Sequence, residues 1–259
     1  MRLSVLTDNT AGSYFMAEHG LSYFIECSNK NILFDTGHTD VFIKNAELLS
    51  INLDKAKTVV LSHGHWDHGN GLKYLKNKKL ICHPGAFIKR YRKNDSLNIG
   101  LDLSYEEIKK RFEIIESKEP YSISEDIIYL GEIPRLNFFE SKTTTFVDEK
   151  GDADFVPDDS ALAITEGDEL VVVSGCSHSG ICNIVEYAKS VSGIEKVKAV
   201  FGGFHLKKID TQTKETINYF KRNGIKEIHP SHCTELPALA AFYNEFEIEQ
   251  VKTGMIFNL

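Results

Sequence analysis

Leu61-Ser62-His63-Gly64-His65-Trp66-Asp67-His68-Gly69-Asn70-Gly71 is the stretch on which the reading of this chain turns. Three imidazoles and one carboxylate fall within six residues, directly after the β-branched apolar run at 58–61. In an extended backbone, residues two apart face the same side, so His63 and His65 present two nitrogen ligands to one metal ion. Asp67 and His68 are adjacent and face one way only where the backbone turns; Gly69 and Gly71 permit that turn. The spacing predicts two ligands for one ion and two for a second ion close by. Such a pair of ions suits water activation and the clamping of an oxyanion.

Outward from the cluster, both ends of the chain alternate strand-length apolar runs with helix-like segments. Strands are expected at 3–6, 21–26, 31–34 and 80–82, with a helix over 40–49 and another from Pro84 to about Arg92. Ser104-Tyr105-Glu106-Glu107 is a helix-start signal, Ser at the cap and Glu three positions later. The stretches 118–125 and 142–159 read as loops. Strands at 161–165 and 170–174 flank a hairpin turn at 166–169. Then follow a helix over 181–191, a strand at 197–201, a helix over 213–222 stopped by Asn223-Gly224, a strand at 226–228 and a helix over 236–246. Strand–loop–helix units at both ends call for an α/β layered fold, read as one domain over 1–259.

Composition narrows the class. With 42% hydrophobic and 26% charged residues over 259 positions, the chain is an ordinary globular one. No apolar run approaches a membrane span, and the N-terminus carries no export-signal pattern. Thirty Lys+Arg against 37 Asp+Glu give a formal charge of −7, which argues against a nucleic-acid partner. Five cysteines, an odd set with no CxxC pair, read as reduced thiols of a cytoplasmic protein.

The His63 to His68 pattern resembles the signature of the metallo-β-lactamase superfamily, and Leu33-Phe34-Asp35-Thr36-Gly37 resembles the family's upstream Asp-x-Gly motif. The resemblance implies a four-layer αββα sandwich of two mixed sheets between outer helices, with the metals at one edge between the sheets. It also implies that Asp35 lies under the metal site and supports it. A narrower resemblance rests on Glu18-His19-Gly20-Leu21-Ser22, Gly175-Cys176-Ser177-His178-Ser179-Gly180-Ile181, Gly202-Gly203-Phe204-His205-Leu206 and Ser231-His232-Cys233-Thr234. Together with the first motifs, these are similar to the subgroup of 7,8-dihydropterin-6-yl-methyl-4-(β-D-ribofuranosyl)aminobenzene 5′-phosphate synthase-like metal-dependent hydrolases. Glu235 and Asn70 depart from the subgroup's usual residues.

Two ions need more ligands than the cluster supplies. His178, between a strand and a helix, and His232, which fits the family's last His, are the candidates; His229 competes with His232. Where the family has a bridging Asp, this chain has Cys176. Either its thiolate ligates, or the bridge is absent and His178 takes over nearby. Asp158 and Asp159 lie near where the resemblance implies a His between the halves of the fold, and either serves there as an oxygen ligand. His83 is a weaker candidate, and no argument lifts His19 or His38 above rim residues. The glycines of Gly202-Gly203-Phe204-His205 invite a ligand to the backbone, with His205 as a donor to a phosphate or oxyanion and Lys207 and Lys208 nearby.

The expected ligand set is therefore His63, His65, Asp67, His68, His178 and His232, holding two divalent ions. Zinc suits the set first, and manganese or iron fit the ligand types. The expected activity is hydrolysis of a phosphate-bearing small molecule by a metal-bound hydroxide, Asp67 orienting the nucleophile and His205 assisting the leaving group. The alternatives are a pterin-condensing synthase that displaces diphosphate, its flat slot drawn from Trp66, Phe87, Tyr91 and Phe204, and a non-catalytic metal-dependent binding protein.

Overall fold

A computed structural model describes all 259 residues. The chain divides into two compact units. The first comprises Met1–Lys118, Thr144–Asp154 and Lys252–Leu259; the second comprises Glu119–Thr143 and Phe155–Val251.

The first unit is built on a seven-stranded sheet in the order Ile256–Asn258, Arg2–Thr7, Ser22–Cys27, Lys30–Phe34, Thr58–Val60, Lys78–Cys82, Phe112–Glu116. The first four strands pair antiparallel and the rest parallel, so the sheet is mixed. Leu6, Phe24, Leu33, Val59 and Leu80 form one apolar cluster, and helix Val41–Leu48 lays Phe42 and Ala46 into it. The cluster follows from period-2 strands meeting the inward face of a helix.

The second unit carries a six-stranded mixed sheet in the order Glu227–Ser231, Val197–Gly203, Glu169–Ser174, Ala161–Glu166, Ile127–Tyr129, Tyr121–Ser122. Its first three strands run parallel. Helices Ile181–Ser192, Thr211–Arg222 and Leu236–Phe246 bury Ile184, Val185, Phe220 and Phe242 in its core. No helix of the chain is long and apolar enough to cross a membrane.

The α/β class and the mixed sheets are as the sequence predicts. Three local expectations change. Pro84 opens only a short turn of 3₁₀ helix, Pro84–Phe87, before the chain extends into strand Arg90–Arg92. That strand pairs with Phe146–Asp148, and the buried Arg90 lies 3.3 Å from Asp154. A non-local strand pairing and a buried ion pair thus override the helix signal. The stretches read as loops also hold short strands, Tyr121–Ser122, Phe146–Asp148 and Ala153–Asp154.

In both units the parallel strands set up chemistry at their carboxyl ends, where open α/β sheets present ligands. In the first unit, Asp35, Ser62 and His83 follow Lys30–Phe34, Thr58–Val60 and Lys78–Cys82. In the second, Cys176, His205 and His232 follow Glu169–Ser174, Val197–Gly203 and Glu227–Ser231.

Candidate functional site

In the first unit the chain leaves Thr58–Val60 through bends at Ser62 and Gly64, is extended at His65 and then coils into the short helix Trp66–Gly69. The helix does not face Asp67 and His68 the same way: it turns Asp67 toward His19 and His68 toward His63. The ring of His63 lies 4.5 Å from that of His65 and 4.3 Å from that of His68. Gly64 makes the close approach possible: a Cβ there would sit 1.8 Å from the Ala86 carbonyl oxygen.

Asp35 braces this cluster. It follows strand Lys30–Phe34 in the left-handed region at φ 55°, a conformation Asp tolerates better than most residues. Its carboxylate accepts the Ser62 N–H at 2.7 Å and the Ser62 hydroxyl at 2.7 Å, and lies 2.6 Å from His68 Nδ1. Since the Ser62 hydroxyl proton goes to Asp35, its oxygen accepts from His63 Nδ1, 2.9 Å away. Both imidazoles thereby carry their protons on Nδ1 and direct Nε2 to the opposite edge of the ring, the tautomer that ligates metal. Burial, then the neighbouring His68 and His65, hold the His63 pKa well below its ordinary value, so the ring is neutral at pH 7. A neutral imidazole is the form a metal ion needs.

Asp67 is buried, and its carboxylate lies 3.2 Å from His19 Nε2. The sequence offered no argument for His19; the contact becomes visible only once Leu21 N hydrogen-bonds the Asp67 carbonyl and draws the two segments together. His38 instead meets the edge of Trp66 at 4.5 Å, and His83 accepts the Gly85 N–H as the cap of the 3₁₀ turn.

In the second unit, strand Glu169–Ser174 passes into a loop through Cys176, Ser177 and His178 before helix Ile181–Ser192. The Ser177 hydroxyl donates to the Gly203 carbonyl at 2.7 Å and ties this loop to the neighbouring strand end. His178 and His205 have ring centroids 4.5 Å apart. Cys176, His205 and Cys233 offer ligand atoms that all lie within 4.8 Å of one another. Burial alone would raise the Cys233 thiol. Hydrogen bonding with Cys176 and His205 and the charges of His205 and His232 outweigh it, leaving the thiol well below its ordinary pKa.

His232 is buried at the turn after Glu227–Ser231, with its backbone left-handed at φ 49°. Its rival His229 stacks on Phe201 at 4.3 Å and lies 3.5 Å from Glu227, which occupies it elsewhere. Asp159 is fully buried and accepts the Ser179 N–H at 2.8 Å; burial pushes its pKa up to about 6. It braces the His178 loop through the backbone.

Two expectations are corrected here. Gly203 N donates to the Gly175 carbonyl and Phe204 N to the Thr234 hydroxyl, so those two amides of the turn at 202–205 are spent on the fold and make no anion cradle. Phe204 is a core residue packed 5.7 Å from both Phe220 and Phe242, and is no wall of a pterin slot. The amino end of helix Ile181–Ser192 is likewise filled, by the Glu140 carboxylate accepting from Cys182 N and Asn183 N. Cys233 entered the sequence reading only within the Ser231-His232-Cys233-Thr234 motif and was given no role of its own.

The sequence model of the metallo-β-lactamase superfamily matches residues 17–85, the segment that holds Asp35 and the histidine cluster. An uncharacterized protein of Methanocaldococcus jannaschii is 40% identical over 92% of this chain and 92% of its own length. A second protein of that organism, named 7,8-dihydropterin-6-methyl-4-(β-D-ribofuranosyl)-aminobenzene-5′-phosphate synthase, is 34% identical over 99% of this chain and 96% of its own. Among solved structures, a metal-dependent hydrolase of the β-lactamase superfamily superposes with a TM-score of 0.89 at 32% identity, covering 100% of this chain and 99% of that one. Motif, fold and full-length relatives agree: the chain belongs to the metallo-β-lactamase superfamily, in the group of the relative named as the pterin-phosphate synthase.

Proposed function

We propose that the chain is a metal-dependent hydrolase acting on a phosphate-bearing small molecule, with two divalent ions, zinc first, held by His63, His65, Asp67, His68, His178 and His232. The observation that carries the reading is the buried cluster of His63, His65 and His68. Asp35 and Ser62 hold the Nδ1 protons of His63 and His68 so that both rings face metal with Nε2. The donor set of imidazoles and one carboxylate fits zinc. Ions bound there would lower the pKa of water and neutralise phosphate charge. Asp67, set against His19, orients the attacking water, and His205 donates a hydrogen bond to the leaving oxygen. The phosphate class is supported by the phosphate-bearing product in the name of the relative that matches nearly the whole chain. The reading takes 1–259 as one functional domain in the cytoplasm, in keeping with its odd cysteine set.

A second reading, condensation of a pterin diphosphate with an aryl amine, is favoured by that same relative. It uses the same ligands, with the amine as nucleophile and diphosphate as leaving group. The test is metal analysis of the purified chain followed by a screen of phosphodiesters, phosphomonoesters, thioesters and lactones, with the pterin diphosphate and amine pair as a separate arm. Turnover of a phosphate ester is expected. Turnover only in the condensation arm moves the function to the second reading, and absence of metal after reconstitution overturns both.

A further inference from the structure

Three adjacent parallel strands of the second unit, Glu169–Ser174, Val197–Gly203 and Glu227–Ser231, each deliver one soft or borderline donor at their carboxyl ends: Cys176, His205 and Cys233. The two sulfurs and the ring nitrogen lie within 4.8 Å of one another. The approach is built into the backbone. Gly203 sits opposite Cys233, and a Cβ at 203 would lie 2.4 Å from the Cys233 sulfur and 2.9 Å from the Gly175 carbonyl oxygen. The Cys233 thiol faces the Cys176 carbonyl at 3.5 Å, which keeps the two cysteine segments together. His205 is held in the left-handed region at φ 51°, a conformation that surrounding structure must enforce on a non-glycine residue. Its Nδ1 is buried and has no hydrogen-bond partner. Ordinary thiol packing explains none of these three features together.

We infer that Cys176, His205 and Cys233 form a binding site for a borderline-soft divalent cation, with zinc the best fit to two thiolates and one imidazole. Three protein donors leave one position of a tetrahedral ion open. Binding releases the two thiol protons and forms two sulfur–metal bonds and one nitrogen–metal bond, with no change of oxidation state. An imidazole ligates through one ring nitrogen and donates through the other, so ligation by His205 is compatible with its hydrogen bond to a leaving group. The site shares His205 with the proposed reaction, as the donor to the leaving oxygen, and uses none of that reaction's six ligands, so metal binding by the three donors is read apart from turnover.

The test is cobalt substitution of the full chain. Co²⁺ added to metal-free protein gives a thiolate-to-cobalt charge-transfer band in the near ultraviolet. Cys233→Ser, with one of two thiolates removed, lowers the band by about half, and the Cys176→Ser, Cys233→Ser double variant abolishes it. A band of unaltered intensity in Cys233→Ser overturns the site, as does cobalt uptake with no such band. A second measurement needs no variant. Zinc at ten times its dissociation constant slows alkylation of Cys233 by iodoacetamide about tenfold, read by peptide mass spectrometry. Equal rates with and without zinc overturn the site. Turnover is read in neither experiment: an inactive chain that shows the band loses the reaction and keeps this site, and an active chain without it does the reverse.

Discussion

Oδ2 of Asp35 lies 2.6 Å from Nδ1 of His68, and both side chains are fully shielded from solvent. A charged acceptor at that distance fixes both the tautomer and the plane of the ring it faces. The same carboxylate accepts from Ser62, which in turn meets His63, so one residue orients two imidazoles of the cluster.

Replacing the carboxylate by its amide isostere tests this directly. Asp35→Asn must meet three donors, the Ser62 amide, the Ser62 hydroxyl and His68 Nδ1, with a group that offers one acceptor oxygen. Metal affinity should fall by about 10–100-fold, the usual cost of losing a partner that orients a ligand. Competition against a chromophoric chelator measures it. Unchanged affinity would reduce Asp35 to a turn residue.

Much of this arrangement was legible in local sequence, and the exceptions share a cause. Helix Leu236–Phe246 has the bounds read from the sequence. Helix Thr211–Arg222 starts two residues earlier than expected because Asp210 caps it, its carboxylate accepting from Thr213 N. His63, His65 and His68 meet because the strand end and the helical turn that carry them are adjacent in the chain. His19 and Cys233 were not legible. His19 reaches Asp67 only through the pairing of separate segments, and Cys233 meets Cys176 and His205 only after three strands align in parallel. The failed helix after Pro84 has the same origin, since Arg90 answers to Asp154 and to strand Phe146–Asp148.

Gly64 stands between His63 and His65 with no room for a side chain. A Cβ there would lie 1.8 Å from the Ala86 oxygen and 2.5 Å from its carbonyl carbon, both backbone atoms that cannot rotate away. Gly64→Ala should cost about 3 kcal/mol in urea unfolding, at the upper end of overpacking effects, and should lower the metal content retained on dialysis. Stability equal to the parent chain would mean that the turn Pro84–Phe87 gives way freely.

The lowered pKa of His63 predicts how the metal-free protein responds to acid. Burial and the adjacent His68 and His65 resist protonation in the folded state, whereas the unfolded chain titrates near the ordinary 6.5. Below that pH the unfolded state takes up a proton that the folded state refuses. Stability therefore falls as the pH drops below 6.5, by up to about 1.4 kcal/mol per pH unit from this group. Chelator-treated protein should lose urea resistance more steeply between about pH 7 and pH 5 than the His63→Asn variant does. Parallel curves would show that the proton finds His63 equally in both states.

The division of labour within the cluster makes a sharper prediction about metal count. The rings of His63 and His65 lie 4.5 Å apart ahead of the helix Trp66–Gly69, and Asp67 and His68 stand on that helix. If each pair serves its own ion, His63→Ala and His68→Ala should each lower metal content by about one ion relative to the parent chain, and each should abolish turnover, because a two-metal displacement needs both. Elemental analysis of reconstituted variants provides the count, with circular dichroism to establish that each is folded. His68→Ala carries an additional signature: it leaves the buried Asp35 carboxylate without its imidazole partner, so it should be the less stable of the two in the metal-free state. Loss of both ions from either variant would show instead that the cluster acts as a single coupled site, and the separate roles of the two pairs would have to be abandoned.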